Sequence, residues 1–526
     1  SSFPLLIAMD AEWGVAMRLD SVQAFPWPMT LGAVKDTTLL RKIGKRMGMQ
    51  EKRLGIHYSF SPTLDINTNP KNPIIGNRSF GSSSERVTRQ ALAVMRGHHQ
   101  SGILTTGKHF PGHGDTEQDS HKTLPKLALS SSRIKKIELE PYRQLISNGL
   151  SSVMVAHLNV PSITEEGLPT SLSKDVIQGI LKNELGFKGL VVTDALNMKG
   201  VTEYLKGQNI DLTAFLAGHD ILVISNNIPN GITAIKNAYK KGIVTEKRLA
   251  YSVKKILKAK YKAGLNHYKP VNTKDLIEDL NTVEDEALNY EAMSKALTLL
   301  RNDKQLLPLK DENTIGHITL GDASAEVFKN QLKKYGKIKE IIGVTPSNVL
   351  QNTASVDTII VSFHRSNATP WKASNFSKEQ VKIISKLAKN KILILDVFVK
   401  PYALETLKHI EGINALLMSY QNSDVAQKIS ADALFGAQTL TGRLPVNVSN
   451  SFQEGDGINL DAIYRLGFAT PSFLGFDPCK LQKVDKLAQI AIDSMMTPGI
   501  QMLVARKGRI VYHKSHGFHT YKKRIS

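Results

Sequence analysis

The segment Ile103-Leu-Thr-Thr-Gly-Lys-His-Phe-Pro-Gly-His-Gly114 carries the reading of the fold. Its first half is apolar and β-branched, which predicts a strand over 103–109. Its second half is rich in glycine, proline and histidine, which ends the strand in a polar loop. Helix-like segments at 84–100 and 132–148 flank it, so the local order is helix, strand, loop, helix. The unit recurs outward in both directions. Apolar runs at 4–9, 56–66, 151–158, 189–193 and 220–225 alternate with amphipathic stretches that include 173–185 and 230–241. This is the pattern of repeated β-α units around a parallel sheet, and the expectation for residues 1–265 is a (β/α)8 TIM-type barrel.

Barrels of this kind hold their chemistry at the carboxyl ends of the strands. The polar residues fall there. Asp10 closes the first run, Asp65 lies late in the second, Lys108 and His109 close the third, His157 lies late in the fourth, and Asp194 ends the fifth. Read singly, Asp194 has a second explanation as a helix N-cap. Asp65 reads equally as a carboxylate that staples a loop, and His157 and His219-Asp220 as satisfied structural polar groups.

The loop Gly107-Lys-His-Phe-Pro-Gly-His-Gly-Asp-Thr-Glu-Gln-Asp-Ser-His-Lys-Thr-Leu-Pro125 is the densest polar feature. It lacks the Gly-Lys-Ser/Thr order of a phosphate-binding P-loop. His109, His113, Asp115 and His121 have side chains that suit zinc or iron. The competing reading is the pair Asp119 and His121, two apart on an extended loop, where the carboxylate orients the ring as a general acid/base. The second reading is adopted, with no metal ion and no cofactor expected.

Lys108-His-Phe-Pro-Gly-His-Gly114, Asp119-Ser-His121 and Val192-Thr-Asp-Ala-Leu-Asn-Met198 resemble the signatures of the bacterial β-N-acetylglucosaminidase branch of glycoside hydrolase family 3, and the likeness runs to about Ser449. The resemblance implies Asp194 as nucleophile and His121, supported by Asp119, as acid/base. It also implies sugar contacts from Asp10, Arg18, Arg78, Lys108 and His109. Two departures, Ala195 where many relatives carry a second acid and Glu12-Trp13-Gly14 for the commoner Glu-Gly-Gly, bear on substrate specificity. The implied activity is retaining exo-hydrolysis of terminal β-linked N-acetylglucosamine through a covalent intermediate, on a small carbohydrate or muropeptide from peptidoglycan. An imidazole acid/base does not repel an anionic acceptor, so phosphorolysis is an alternative, as is a β-glucosidase. A catalytically inactive carbohydrate-binding protein is the reading from another class.

Beyond an acidic linker at about 266–285, a helix over 286–300 leads into a second alternating region. Its apolar runs at 315–320, 358–363, 392–397 and 415–419 predict an α/β sandwich domain over 286–449. Residues 450–476 read as a connector. A helix at 480–496, an apolar run from Ile500 and the turn Lys507-Gly-Arg509 resemble the opening of a serine β-lactamase-like domain over 477–526. No Ser-x-x-Lys motif follows Phe476, so no such activity is expected of it.

Composition excludes several classes. The 526 residues are 41% hydrophobic and 22% charged, and no apolar run is long enough to span a membrane. The net charge of +21 is spread in short runs, which argues for solvated faces rather than nucleic-acid binding. One cysteine, Cys479, rules out an internal disulfide framework. The chain opens directly on the strand-like 4–9 with no signal segment before Phe3, a first barrel strand upstream of Ser1 is an open alternative, and a bacterial periplasmic or cell-envelope location is expected.

Overall fold

The structure is a computed structural model, and it describes residues 4–117, 123–202, 204, 207–310, 313–368, 374–463 and 465–521. Asp119 and His121 lie outside the described residues.

Five parallel strands lie side by side in chain order: β1 (Ala8–Met9), β2 (Tyr58–Ser59), β3 (Leu104–Phe110), β4 (Ser152–Val155) and β5 (Leu190–Thr193). The predicted runs at 4–9 and 56–66 shrink to two residues each. In the second, Pro62 carries no N–H to donate to a neighbouring strand. The run at 220–225 contributes a single parallel bridge, Val192 to Ile221. Among the described residues, pairing stops there, so the first sheet is a parallel half-barrel and not a closed ring of eight. The physical reason is local. The Asp220 side chain accepts from the Val191 amide at 3.0 Å and holds Ser252 and Lys255 of the helix Glu246–Lys262. That helix packs Ala259, with Ala263 just beyond it, against Tyr58, Leu104, Met154 and Val192. The helix thus packs on side chains of β2 to β5.

The helix Thr37–Arg53 starts where the Asp36 carboxylate accepts from the Thr38 and Leu39 amides. It lies across the helix Ser84–Gln100 at close range. A Cβ on Gly97 would stand 2.3 Å from the Arg41 carbonyl oxygen, and one on Gly44 2.4 Å from that of Val94. The crossing requires both glycines.

The second sheet has six strands, β6 (Thr298–Asn302), β7 (Ile315–Gly321), β8 (Ile338–Glu340), β9 (Thr358–His364), β10 (Ile392–Phe398) and β11 (Ile413–Met418). Their order is β6-β11-β10-β9-β7-β8, with β6 antiparallel and the rest parallel. The predicted helix over 286–300 ends early, at Ala296, and its last apolar residues form β6. A third, small sheet pairs β12 (Gly467–Phe468) with the hairpin β13 (Gly499–Arg506) and β14 (Arg509–Gly517), beside the helix Pro478–Asp493. These are the elements expected from the C-terminal sequence, with β12 an addition.

Polar contacts join the first two sheets' surroundings. Arg46 holds Asp285 through two bonds of 2.8 Å, Arg86 holds Glu454 at 2.8 Å, and the Asn67 amide donates to the Tyr402 hydroxyl at 2.7 Å. The last of these ties the segment after β10 to the chain that follows Asp65.

Candidate active site

The carboxyl ends of β1, β3 and β5 open onto one cleft of about 980 Å³, and Asp10, Arg18, Arg78, Lys108, His109 and Asp194 all line it. Met17, Phe60, Met154 and Met198 supply apolar wall. The six described residues that the sequence pointed to therefore come together.

They form a chain of alternating charges. Arg18 donates to Asp10 Oδ2 at 2.9 Å, and Lys108 Nζ donates to Asp10 Oδ1 at 2.9 Å. Lys108 also reaches Glu12 Oε1 at 2.7 Å, and Arg78 grips the same Glu12 carboxylate through Nη2 at 2.7 Å and Nε at 2.9 Å. Lys108 and Glu12 are buried, whereas the Asp10 side chain remains 37% exposed to the cleft. Burial alone would raise the Glu12 pKa, but Arg78 and Lys108 outweigh it and hold the carboxyl well below the usual range. Glu12 is the residue that sequence reasoning left out of the site. It was visible only as a departure at Glu12-Trp13-Gly14, and its function as shared counter-ion depends on contacts to residues 66 and 96 positions away.

Asp65 settles between its two readings. It is buried, accepts from the His113 amide at 2.7 Å and the His109 amide at 3.1 Å, and receives the His109 Nδ1 proton at 2.7 Å. The opposite nitrogen, Nε2, faces Arg78 Nη2 at 3.3 Å. Arginine only donates, so in the neutral ring Nε2 accepts and Nδ1 carries the proton. Asp65 thus staples the loop and also orients a cleft histidine. The loop lies flat on the chain after β2, because a Cβ on Gly114 would stand 1.8 Å from the Ile66 carbonyl oxygen. Asn72 bonds the His113 and Gly114 carbonyls at 2.8 and 3.1 Å.

Asp194 follows β5 and is half-buried. Its Oδ1 accepts from the Ala195 amide at 2.8 Å, the one capping-like bond it makes among the described residues. Burial pushes its pKa up, and the histidines His109 and His157, the Ala195 amide and Lys108 outweigh that, leaving the carboxylate below its ordinary value. His157 is buried beneath, with Nε2 3.1 Å from the Ala195 carbonyl oxygen and Nδ1 2.6 Å from the Ser171 hydroxyl. His219 is also buried and bonds the Ser171 carbonyl at 2.8 Å, away from the cleft wall.

Of the loop's four candidate metal ligands, His121 lies outside the described residues. His109 and His113 meet edge to face with ring centroids 6.1 Å apart, and Nδ1 of each ring is already bonded, to Asp65 and Thr116. Among the described residues no three histidine, cysteine or acidic side chains converge as a metal site.

Residues 1–259 match the profile described as the glycosyl hydrolase family 3 N terminal domain, and residues 297–470 match that family's C-terminal domain. A β-hexosaminidase A from Pseudoalteromonas piscicida is 30% identical over 366 residues, 64% of this chain and 60% of that protein. A β-hexosaminidase of Neisseria meningitidis serogroup C (strain 053442) is 34% identical over 230 residues, 42% of this chain and 63% of its own length. The chain therefore spans about three fifths of the length of these relatives. Among solved structures, a family 3 β-N-acetylglucosaminidase from Paenibacillus sp. str. FPU-7 aligns with TM-score 0.70 and 29% identity, covering 85% of this chain and 87% of the other. A β-glucoside phosphorylase, BglX, aligns with TM-score 0.75 and 26% identity, covering 85% of each.

Proposed function

Because the chain belongs to glycoside hydrolase family 3, we propose that it is a retaining exo-β-glycosidase that removes terminal β-linked N-acetylglucosamine, with Asp194 as nucleophile. The observation that carries this reading is the position of the Asp194 carboxylate. It lies at the strand end on a cleft wall shared with Asp10, Arg18, Arg78, Lys108 and His109, and its surroundings keep it ionised. Two-step hydrolysis requires such a carboxylate to attack the anomeric carbon while a separate group protonates the leaving oxygen. In this proposal His121, oriented by Asp119, gives that proton and then takes one from water as the glycosyl ester is hydrolysed. Asp10 accepts sugar hydroxyls; Arg18, Arg78, Lys108 and His109 complete the sugar's polar wall.

The proposal extends to the whole chain. The half-barrel belongs to a TIM-type catalytic domain over 1–265, residues 286–449 form the α/β sandwich domain, and 477–526 form the start of a β-lactamase-like domain. The substrates are muropeptide fragments met in the cell envelope. The names of the hexosaminidase relatives support the sugar. A second reading, transfer to phosphate, is favoured by one observation, the likeness to a β-glucoside phosphorylase.

Release of nitrophenol from its β-N-acetylglucosaminide and β-glucoside, with and without phosphate, tests these readings. The expected result is faster cleavage of the N-acetylglucosaminide, abolished in Asp194→Ala. His121→Ala should lose less, because nitrophenol departs with little protonation. Acceleration by phosphate with a sugar phosphate as product would establish phosphorolysis. A folded protein that binds the sugars and cleaves neither would be a binding protein.

A further inference from the structure

Lys400 follows β10 directly, where the chain turns into the short 3-10 segment Pro401–Leu407. Tyr402 in that segment receives the Asn67 amide at 2.7 Å, so the turn is tied to the loop that follows Asp65. There the Lys400 side chain reaches the first domain's backbone at Gly76, two residues before the cleft residue Arg78. Its Nζ lies 3.8 Å from the point a Cβ on Gly76 would occupy, and among the described residues beyond Gly76's chain neighbours nothing else stands within 4 Å of that point. Gly76 begins the turn Gly76–Arg78, and Ile74 and Arg78 on either side of it line the cleft.

The ammonium is half-buried, and desolvation holds its pKa below the ordinary lysine value with no opposing partner. Among the described residues it meets no carboxylate and makes no hydrogen bond. The cations of the cleft differ in this respect. Lys108 is shared by Asp10 and Glu12, Arg78 is held by Glu12, and Arg18 by Asp10. Taking a charge partly out of water without a partner is unfavourable, and an anion beside it recovers that cost. Among the described residues, the space over Gly76 leaves room for one.

We propose that Lys400 and the Gly76 turn form a subsite for a carboxylate carried on the leaving-group part of the glycoside, so that the second domain reads the aglycone of the bond the first domain cleaves. This rests on the glycosidase reading above. The ammonium supplies a point charge rather than a fixed fork, which suits a carboxylate on a flexible arm.

Two matched disaccharides, with the same terminal N-acetylglucosamine and a second sugar either neutral or bearing a carboxylate, test the inference. The expected result is a kcat/KM ratio favouring the acidic substrate by roughly three- to tenfold at low salt, as a partly shielded ion pair contributes. The ratio should fall towards one in Lys400→Met, invert in Lys400→Glu, and be largely kept in Lys400→Arg. It should also decline as salt is added. A ratio near one in the unsubstituted protein, or one that Lys400→Met leaves unchanged, overturns the proposal. Calorimetric binding of both disaccharides to Asp194→Asn, with and without Lys400→Met, decides the matter without turnover. Lys400-dependent binding of the acidic sugar in a protein that cleaves no glycoside would sink the hydrolase reading and keep the subsite. Equal binding in both would sink the subsite alone.

Discussion

At the residue scale, the buried carboxylates divide by whether a cation meets them. Glu12 is flanked by Arg78 and Lys108 and stays ionised. Glu51 receives a single hydrogen bond, from Ser59 at 2.7 Å, and its other oxygen has no partner. Burial therefore pushes its pKa up to about 8, and pushes that of the facing His98 down to about 4. Although the two lie 3.8 Å apart, both are neutral near pH 7 and do not form an ion pair. The consequence for stability has a definite sign. A carboxyl raised in the folded state binds a proton that the unfolded chain releases above pH about 4.5. Its favourable contribution is present in acid and is lost as pH rises towards 8. Glu51→Gln keeps the Ser59 bond and removes the titration. Its melting temperature should exceed that of the parent increasingly from pH 5 to pH 8, by an amount worth at most about 3 kcal/mol at pH 7. A constant difference across that range would refute the assignment.

Among the elements, the crossing of Thr37–Arg53 over Ser84–Gln100 most directly supports the strand ends, since these helices lie behind β2 and β3. Ser59 of β2 bonds Glu51 of the first helix, and His99 of the second bonds Thr105 of β3 at 2.8 Å. A methyl at Gly97 would meet the backbone of Arg41, Gly44 and Lys45 within 2.7 Å, and backbone cannot yield as a side chain can. Gly97→Ala should destabilise the protein by about 1–3 kcal/mol through overpacking. Gly179→Ala makes the opposite prediction. A Cβ there meets nothing within 4 Å, so helix propensity should give about 0.5–1 kcal/mol of stabilisation. Urea midpoints of the two variants should move in opposite directions, and movement in the same direction would show that packing at Gly97 is not the controlling term.

For the whole molecule, the two sheets are coupled through side chains far apart in sequence. Arg46 of the first domain grips Asp285, which also caps the helix Val283–Ala296 through its bond from the Thr282 amide at 2.9 Å. Arg46→Ala strands a buried carboxylate, and a loss of about 3–5 kcal/mol is expected. Hydrogen exchange should rise first over 283–296, and equal loosening of remote segments would argue against a local coupling.

The sequence by itself determined the alternation of strands and helices, the placing of polar residues at strand ends, and the choice of Asp10, Arg18, Arg78, Lys108, His109 and Asp194. The alternation follows from periodicity, Asp10, Lys108, His109 and Asp194 from strand-end position, and Arg18 and Arg78 from the family resemblance alone. Asp119 and His121 were legible in the same way and lie beyond the described residues. Only the tertiary structure decided that Glu12 is the counter-ion of two cleft cations, that Asp65 orients His109, that a helix rather than a strand follows Ile221, and that Lys400 stands beside Gly76. Each of these depends on which groups share a desolvated space, and electrostatic pairing across tens to hundreds of residues leaves no periodic trace in the chain.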